Sequence, residues 1–165
     1  MPGMPGMPGM PGMPGMGMPG MAPAPAGPSA QPMDPAAGAA ATAVLGQMAP
    51  TAIVAGAKPL GSPLVGNFNQ GQTMESQFMM QPGKCYTIVA AGAPPVSEVN
   101  LAIAPAGLPM GMAPTLAVDS DTGPQAVIGR KPSCYKNPMP MGGPVKVVMT
   151  VAGGSGLAAA QVYEK

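Results

Sequence analysis

Two cysteines are the residues of this sequence most able to form a covalent or metal-bound structure. Cys85 and Cys134 stand 49 positions apart, and neither belongs to a Cys-x-x-Cys motif. They could form a disulfide, remain as two buried thiols, or bind a metal, but two thiolates without any His make a poor metal site. The pattern favours the disulfide, which would close a loop of about 50 residues and contribute on the order of 4 kcal/mol in the chain-entropy model.

Catalytic chemistry is restricted because the sequence contains no His. Neither a Ser-His pair, a Cys-His pair nor an imidazole base can form. Asp119 and Asp121 are the one close pair of acids, and three roles are open to them: hydrogen bonding to backbone amides, weak Ca²⁺ coordination, or a catalytic carboxylate pair. The following Gly123-Pro124 indicates a turn and favours the first role, and few further oxygen ligands lie nearby for calcium. We therefore predict a protein that is not an enzyme and has no cofactor.

Methionines recur at every third position near the start of the chain, in five Met-Pro-Gly triplets over residues 1–15. Thioether sulfur is a soft ligand, so Met4, Met7, Met10 and Met13 are candidate ligands for Cu(I). No His or Cys accompanies the array. The alternative interpretation, a low-complexity spacer, is therefore favoured.

The charge balance argues against polyanionic partners. Seven basic and six acidic residues give a formal net charge of +1, which creates no field to attract nucleic acid. The adjacent Arg130 and Lys131, with Lys136 beyond them, are expected in a solvated turn. No apolar stretch reaches the roughly 18 to 20 residues of a membrane-spanning helix, so neither nucleic acid nor a transmembrane segment is predicted.

Composition divides the chain into three predicted regions. Residues 1–35 form a disordered Met/Pro/Gly/Ala-rich tether, since too little apolar surface is available there to offset chain entropy. Residues 36–61 form an Ala-rich linker. Asp34 followed by Pro35 is typical of an N-cap with Pro at the first helical position. Ala36 to Met48 contains good helix formers apart from two glycines, so a short helix that ends before Pro50 is predicted.

Residues 62–165 form the predicted folded domain, in which apolar residues recur with a period of two. About eight short strands separated by Gly and Pro turns indicate an all-β fold, a small antiparallel jelly-roll-like β-sandwich. Pro82-Gly83 and the segment Gly153–Gly156 are predicted as hairpin turns. The tyrosines Tyr86, Tyr135 and Tyr163 are expected at the edge of the core or at the rim of the sandwich.

The order of phrases along this domain resembles a known layout. The phrases are Gly66-Asn67-Phe68, then 81–89 (QPGKCYTIV), Glu98-Val99-Asn100-Leu101, 116–120 (LAVDS), and a final strand after 153–156 (GGSG). They resemble the bacterial pre-peptidase C-terminal type of β-sandwich, and more closely uncharacterised exported proteins of predatory soil bacteria that carry a Pro-rich tail. The resemblance implies an accessory module. This sequence differs in its cysteine pair and in having no catalytic domain among its 165 residues.

The cysteine pair and the low content of charged residues favour an extracytoplasmic protein. No basic n-region with an apolar h-region is present, because the first Lys is Lys58. The export signal is thus expected outside the sequence given, and a cytosolic protein is the alternative. We predict a non-catalytic structural or interaction module tethered at the cell envelope, with a protein or envelope polymer as partner. The alternative function is Cu(I) handling through the Met-rich tail.

Overall fold

The computed structural model describes residues 28–109 and 112–165. The candidate copper ligands Met4, Met7, Met10 and Met13 lie outside these ranges. Within them the chain forms ten strands and one helix. The elements are β1 Gln31–Pro32, α1 Ala39–Ala52, β2 Lys58–Phe68, β3 Thr73–Met80, β4 Cys85–Gly92, β5 Glu98–Pro105, β6 Ala117–Val118, β7 Gln125–Ile128, β8 Tyr135–Lys136, β9 Gly143–Gly153 and β10 Gly156–Glu164.

The strands form two sheets. A six-stranded sheet has the order β1-β2-β10-β4-β7, with β8 also paired to β4, and a four-stranded sheet has the order β3-β9-β5-β6. Every pairing between these strands is antiparallel. The predicted all-β sandwich is confirmed, with two strands more than the eight expected.

The main core lies between the two sheets and follows the predicted period of two. In β5, Val99, Leu101 and Ile103 are at most 2% exposed, whereas Asn100 between them is exposed. A strand turns alternate side chains to opposite faces, so one face of β5 packs into the sandwich.

A helical layer covers the other face of the six-stranded sheet. Its buried residues pack with residues of β2, β4, β7 and β10 in a second apolar cluster; the helix contributes Ala41, Leu45, Met48 and Ala52. In the structure, the segment predicted as a linker is thus in contact with the sandwich, and β2 begins at Lys58.

The predicted bounds of the helix are wrong at both ends. The Asp34 Oδ1 atom accepts a hydrogen bond from the Ala36 amide at 2.8 Å, within a turn that precedes the helix. At the other end the helix continues through Pro50 to Ala52. The Lys131 amide donates to the Ala52 carbonyl at 2.9 Å, and its ammonium group donates to the Pro50 carbonyl at 2.8 Å. These bonds satisfy carbonyls that a helix end leaves unpaired.

Neither turn predicted as a hairpin is one. Pro82-Gly83 joins β3 to β4, and Gly154-Ser155 joins β9 to β10, so each connects one sheet to the other. The reason is that β3 pairs with β9, whereas β4 pairs with β10 and β7. Gly154 has a φ of 75° and lies so close to Pro95 that a Cβ atom would collide with the Pro95 carbonyl oxygen.

Strand β2 was not predicted because it contains Pro59, Gly61 and Pro63, which are typical of turns. Among the described residues, β1 covers only Asn67 and Gly66 on the side of β2 that faces away from β10. Proline is tolerated on such an edge, since its missing N–H would have no ladder partner there.

The predicted disulfide between Cys85 and Cys134 is confirmed, with a Cα–Cα distance of 5.5 Å. Cys85 begins β4, and Cys134 immediately precedes β8, which pairs with the same end of β4. The bond therefore holds the short strand β8 beside the start of β4. No helix in the part of the chain described here is long and apolar enough to cross a membrane.

Replacing both cysteines tests the structural weight of this bond. We expect the Cys85→Ala/Cys134→Ala double variant to keep its β-sheet circular dichroism and to lose about 2 to 4 kcal/mol in free energy of unfolding, measured by urea titration. Wild-type protein in reductant is the control and should lose a similar amount. An unchanged unfolding free energy would contradict a stabilising role.

Candidate functional site: an open cleft between two edge strands

One lateral side of the sandwich lies between β2 and β3, and a short segment closes one end of it. We name residues 28–32 the strap. The Thr73 amide donates to the Pro28 carbonyl at 3.3 Å, and the Ala30 amide donates to the Thr73 carbonyl at 2.8 Å. The strap then crosses to the other sheet as β1, where it pairs with Gly66 and Asn67. It therefore joins the two sheets at this end.

Beyond the strap the same side is open and forms a cleft of about 600 Å³. Segments 60–64 of β2 and 76–79 of β3 form its walls. Its apolar lining includes Leu60, Leu64, Phe78, Ala160 and Val162. Its polar lining includes Ser62, Ser76, Gln77, Gln81 and Glu164. The volume is in the range typical of ligand sites, roughly 300 to 1,000 Å³.

Two aromatic rings pack together beside the cleft. The ring centroids of Phe78 and Tyr86 are 5.5 Å apart at an interplanar angle of 50°. Tyr86 is 0% exposed, so its ring lies in the core, and the prediction of a place at the core edge or sandwich rim is wrong for this residue. Its hydroxyl accepts from the Gln81 amide at 2.7 Å and donates to Glu164 Oε2 at 3.1 Å. The hydroxyl thus bonds to two residues of the cleft lining, while the ring packs in the core.

The charged group at this end of the cleft is also paired. Glu164 Oε1 lies 3.4 Å from the Lys84 ammonium group. Burial raises the pKa of Tyr86; the Gln81 amide opposes this rise, and the Glu164 carboxylate adds to it. The one acid of the cleft lining is thus paired with a base.

A bulge in β2 shapes the wall of the cleft that lies opposite β3. Leu64 pairs with Ala160 and Leu60 pairs with Val162, so three residues of β2 lie opposite Gln161 alone. The Gln161 side chain is buried, and its Nε2 donates to the carbonyls of Leu60 at 3.2 Å, Gly61 at 3.3 Å and Val162 at 2.9 Å. The side-chain amide thus replaces ladder bonds that the bulge interrupts.

This bulge and its glutamine were missed by sequence reasoning. The Gly61-Ser62-Pro63 triplet was the available signal, because Gly and Pro inside an otherwise apolar strand often mark a bulge. Gly61 has a φ of 72°, a conformation that other residues rarely adopt.

Asp119 and Asp121, the acid pair noted in the sequence, do not line the cleft. Their carboxylates accept hydrogen bonds from backbone amides. Asp119 Oδ1 accepts from the Leu101 amide at 2.6 Å, and Asp121 Oδ2 accepts from the Val127 amide at 2.9 Å. Burial raises the pKa of Asp119. The described ranges contain no group of three or more His, Cys, Asp or Glu side chains that could hold a metal. Calcium coordination by this pair stays a prediction.

The basic residues near them have specific partners. Arg130 Nη2 donates to both carboxylate oxygens of Asp121 at 2.8 Å, and Lys131 bonds the end of α1 as described above. Both residues and Lys136 are exposed, so they lie at the surface as expected. Arg130 and Lys131 are held there by contacts within the chain.

Comparisons with known proteins do not identify a family for this chain. No protein-family model matches the sequence, and no curated protein matches it. Among solved structures the chain is similar to PliG of Aeromonas hydrophila, a periplasmic inhibitor of g-type lysozyme, at 17% identity and a TM-score of 0.46, over 68% of this chain and 91% of that chain. We draw no functional argument from a likeness of this degree. The resemblance to pre-peptidase C-terminal domains stays a prediction.

The bulge can be tested through its glutamine. We expect Gln161→Ala to lose about 1 to 3 kcal/mol in free energy of unfolding, because three carbonyls lose a buried donor, as measured by urea titration. Gln77→Ala is the matched control: Gln77 is exposed and makes no side-chain hydrogen bond in the described structure, so its effect should stay within about 0.5 kcal/mol. Equal effects of the two substitutions would contradict the assigned role.

Alkaline stability tests the burial of the tyrosines. Burial raises the pKa of Tyr86, Tyr135 and Tyr163. The folded chain therefore keeps phenolic protons that the unfolded chain releases near pH 10, so this stability is present below about pH 10 and is lost as the pH rises above it. We expect the urea midpoint of the wild type to fall between about pH 9 and 11, and to fall less for Tyr86→Phe. Equal falls would show that Tyr86 does not contribute.

Proposed function

We propose that the chain is a non-catalytic interaction module that acts outside the cytoplasm and binds a protein partner in the cleft between β2 and β3. The observation that carries the proposal is the cleft itself, with an apolar lining inside a rim of mostly uncharged polar groups. Tethering at the cell envelope is a further part of the proposal and stays a prediction.

The lining of the cleft supports binding more than chemistry. Ser62 and Ser76 are its hydroxyl groups, and a serine needs an adjacent base to act as a nucleophile. The chain contains no His, and the one acid of the lining, Glu164, is bonded to Tyr86 and paired with Lys84. The groups facing the cleft can therefore bury apolar surface and donate or accept hydrogen bonds.

A protein segment suits this lining better than an envelope polymer. Leu60, Leu64 and Phe78 offer apolar surface to aliphatic side chains, whereas sugar rings are usually bound by several exposed aromatic rings, and Phe78 is the single aromatic residue of the lining. Burying one Val or Leu side chain in such a site is worth about 1.5 to 3 kcal/mol. Two or three such side chains would give measurable affinity.

The disulfide supports the proposed compartment. Disulfides form and persist in oxidising compartments such as the periplasm and the cell exterior, and they are rare in the cytosol. The Cys85–Cys134 bond joins two structural segments of the six-stranded sheet. It is a building element of the fold, as expected of an exported domain.

Copper handling has no comparable support. Its candidate ligands lie outside the described residues. Cu(I) binding by the Met-rich tail therefore stays a prediction.

A cleft-filling substitution tests the proposal. Random peptides displayed on phage are selected against the full chain, and affinities of the selected peptides are measured by fluorescence anisotropy. We expect Ser76→Trp, whose indole would occupy the cleft, to weaken binding at least about ten-fold, which is 1.4 kcal/mol. Thr122→Trp is the control, because Thr122 is exposed and does not line the cleft. Selection of no peptide, or equal binding by Ser76→Trp, would contradict the proposed site.

A further inference from the structure

We infer that the bound protein segment adds as a strand to the free edge of β3. In this proposal an extended, uncharged segment pairs with the backbone of Glu75, Gln77 and Met79 and directs every second side chain into the cleft. The inference rests on the proposed function and specifies how the cleft recognises its partner.

The hydrogen bonds of β3 show which backbone groups its edge presents. β3 pairs with β9 along its whole length and without a register shift. Thr73 uses its own N–H and C=O for the strap, so these groups point away from β9. Alternate residues of a strand point their backbone groups to the same side. Glu75, Gln77 and Met79 therefore present three N–H and three C=O groups to the open side, and no described residue pairs with them.

The strap shows that this edge already binds extended chain. Ser29 forms a parallel bridge with Thr73, the first residue of β3. The strap then leaves the edge and pairs with β2 as β1. An added strand would continue the same ladder at Glu75, where the strap departs.

The other sheet edges are protected by prolines, a bulge or short strand length, and β3 has none of these three features. β2 contains Pro59, Pro63 and the bulge at Gly61, β6 has two residues, and β7 has four. Short edges, prolines and bulges are the devices by which proteins prevent edge-to-edge pairing. β3 has eight residues without Pro, Gly or Lys. A sequence that protects three edges and leaves the fourth open is consistent with selection for binding at that edge.

Charge and shape define the segment that fits. The two acids beside the edge are already paired: both Glu75 carboxylate oxygens accept from the Lys146 ammonium group at 3.1 Å, and Glu164 pairs with Lys84. The site thus favours an uncharged segment. Met79 is 57% exposed, so a side chain on the outer face of the added strand would gain apolar contact there.

Residues 1–15 of this chain are a poor occupant. In a strand, three alternate residues would face Glu75, Gln77 and Met79. Because the Met-Pro-Gly repeat has a period of three, every set of three alternate residues within it includes one Pro, which lacks the N–H needed for the ladder. Every register would lose one of the three donors.

A second copy of the chain fits the edge but not the cleft. The inward side chains of its β3, Met74 and Met80, are 7% and 0% exposed in their own core, and Phe78 packs on its own Tyr86. Such a strand cannot insert these side chains into a neighbouring cleft. An independent segment can, so we commit to a segment of another protein.

Gln77→Pro is the sharp test, with Gln77→Ala as its matched control. Proline removes an N–H that has no partner in the described structure, so the fold should survive, as checked by circular dichroism and urea titration. The probe is a fluorescently labelled, acetylated and amidated peptide of four Thr-Val repeats, which is uncharged and alternates polar with apolar residues. A second probe carries N-methyl groups on its valines, and a third carries them on its threonines.

We expect full-length Gln77→Ala to bind the unmodified peptide; because it loses the same side chain as Gln77→Pro, it is the reference for that variant. Gln77→Pro should bind it at least about five-fold more weakly, and one of the two N-methylated probes should lose affinity similarly, since each change removes a backbone donor. The N-methylated probes also decide the question if Gln77→Pro fails to fold. Equal affinity for all three probes overturns strand addition.

The outcomes separate this inference from the proposed function. Binding that is lost in Ser76→Trp but insensitive to Gln77→Pro and to N-methylation would leave the cleft as a binding site and overturn strand addition alone. Binding that is insensitive to Ser76→Trp as well would overturn both.

A dimer in sedimentation equilibrium that Gln77→Pro dissociates would identify a second copy as occupant. Competition by a peptide of five Met-Pro-Gly repeats would identify residues 1–15. Either result overturns the assignment to another protein.

Discussion

Burial of the six-stranded sheet on both faces is the constraint on which the rest of the structure depends. Its central strands β4 and β10 lie between α1 and the four-stranded sheet, so both sets of alternate side chains must fit into packed layers. Small residues make this possible: each of the following is at most 3% exposed, namely Ala90, Ala91, Ala158, Ala159 and Ala160. At the start of the helix, a Cβ on Gly38 would collide with the Val65 side chain. The close approach of α1 to the sheet thus requires glycine there.

No described helix covers the outer face of the four-stranded sheet. The helix covers one sheet, while the edge strand β3 of the other carries free backbone groups beside an open cleft. The strap closes only the Thr73 end of that side. The bulge at Gln161 and the Tyr86–Glu164 bond then hold the walls in place. The surface available for binding is therefore the edge of β3 together with the cleft beside it.

The sequence predicted the strands from period-two alternation and the disulfide from the isolated cysteine pair. The alternation is a local pattern that is typical of strands, and two cysteines without an accompanying His favour a disulfide over a metal site. The turns were placed well but assigned wrongly, because Pro82-Gly83 allows a chain reversal whether it leads to the same sheet or to the other one. Which sheet follows is decided by pairing with β9 and β10, and these lie 60 or more residues away along the chain.

Features of the candidate site were harder to predict for the same reason. β2 reads as a turn region because its prolines are tolerated only on an unpaired edge, and the edge exists only in the assembled sheet. Tyr86 was expected at the core edge or sandwich rim; its hydroxyl bonds to Gln81 and Glu164, but its ring is buried in the core. Gln161 carries no sequence signal of its own. Its role follows from carbonyls that the bulge leaves unpaired.

Amide hydrogen exchange of the full-length protein, followed residue by residue by NMR, shows whether the outer edge of β3 is free. If β3 is a free edge, the amides of Met74, Ser76 and Phe78 are protected by β9. Those of Glu75, Gln77 and Met79 exchange rapidly in the free protein. Equal protection of both sets would show that the edge is already paired and would contradict the account.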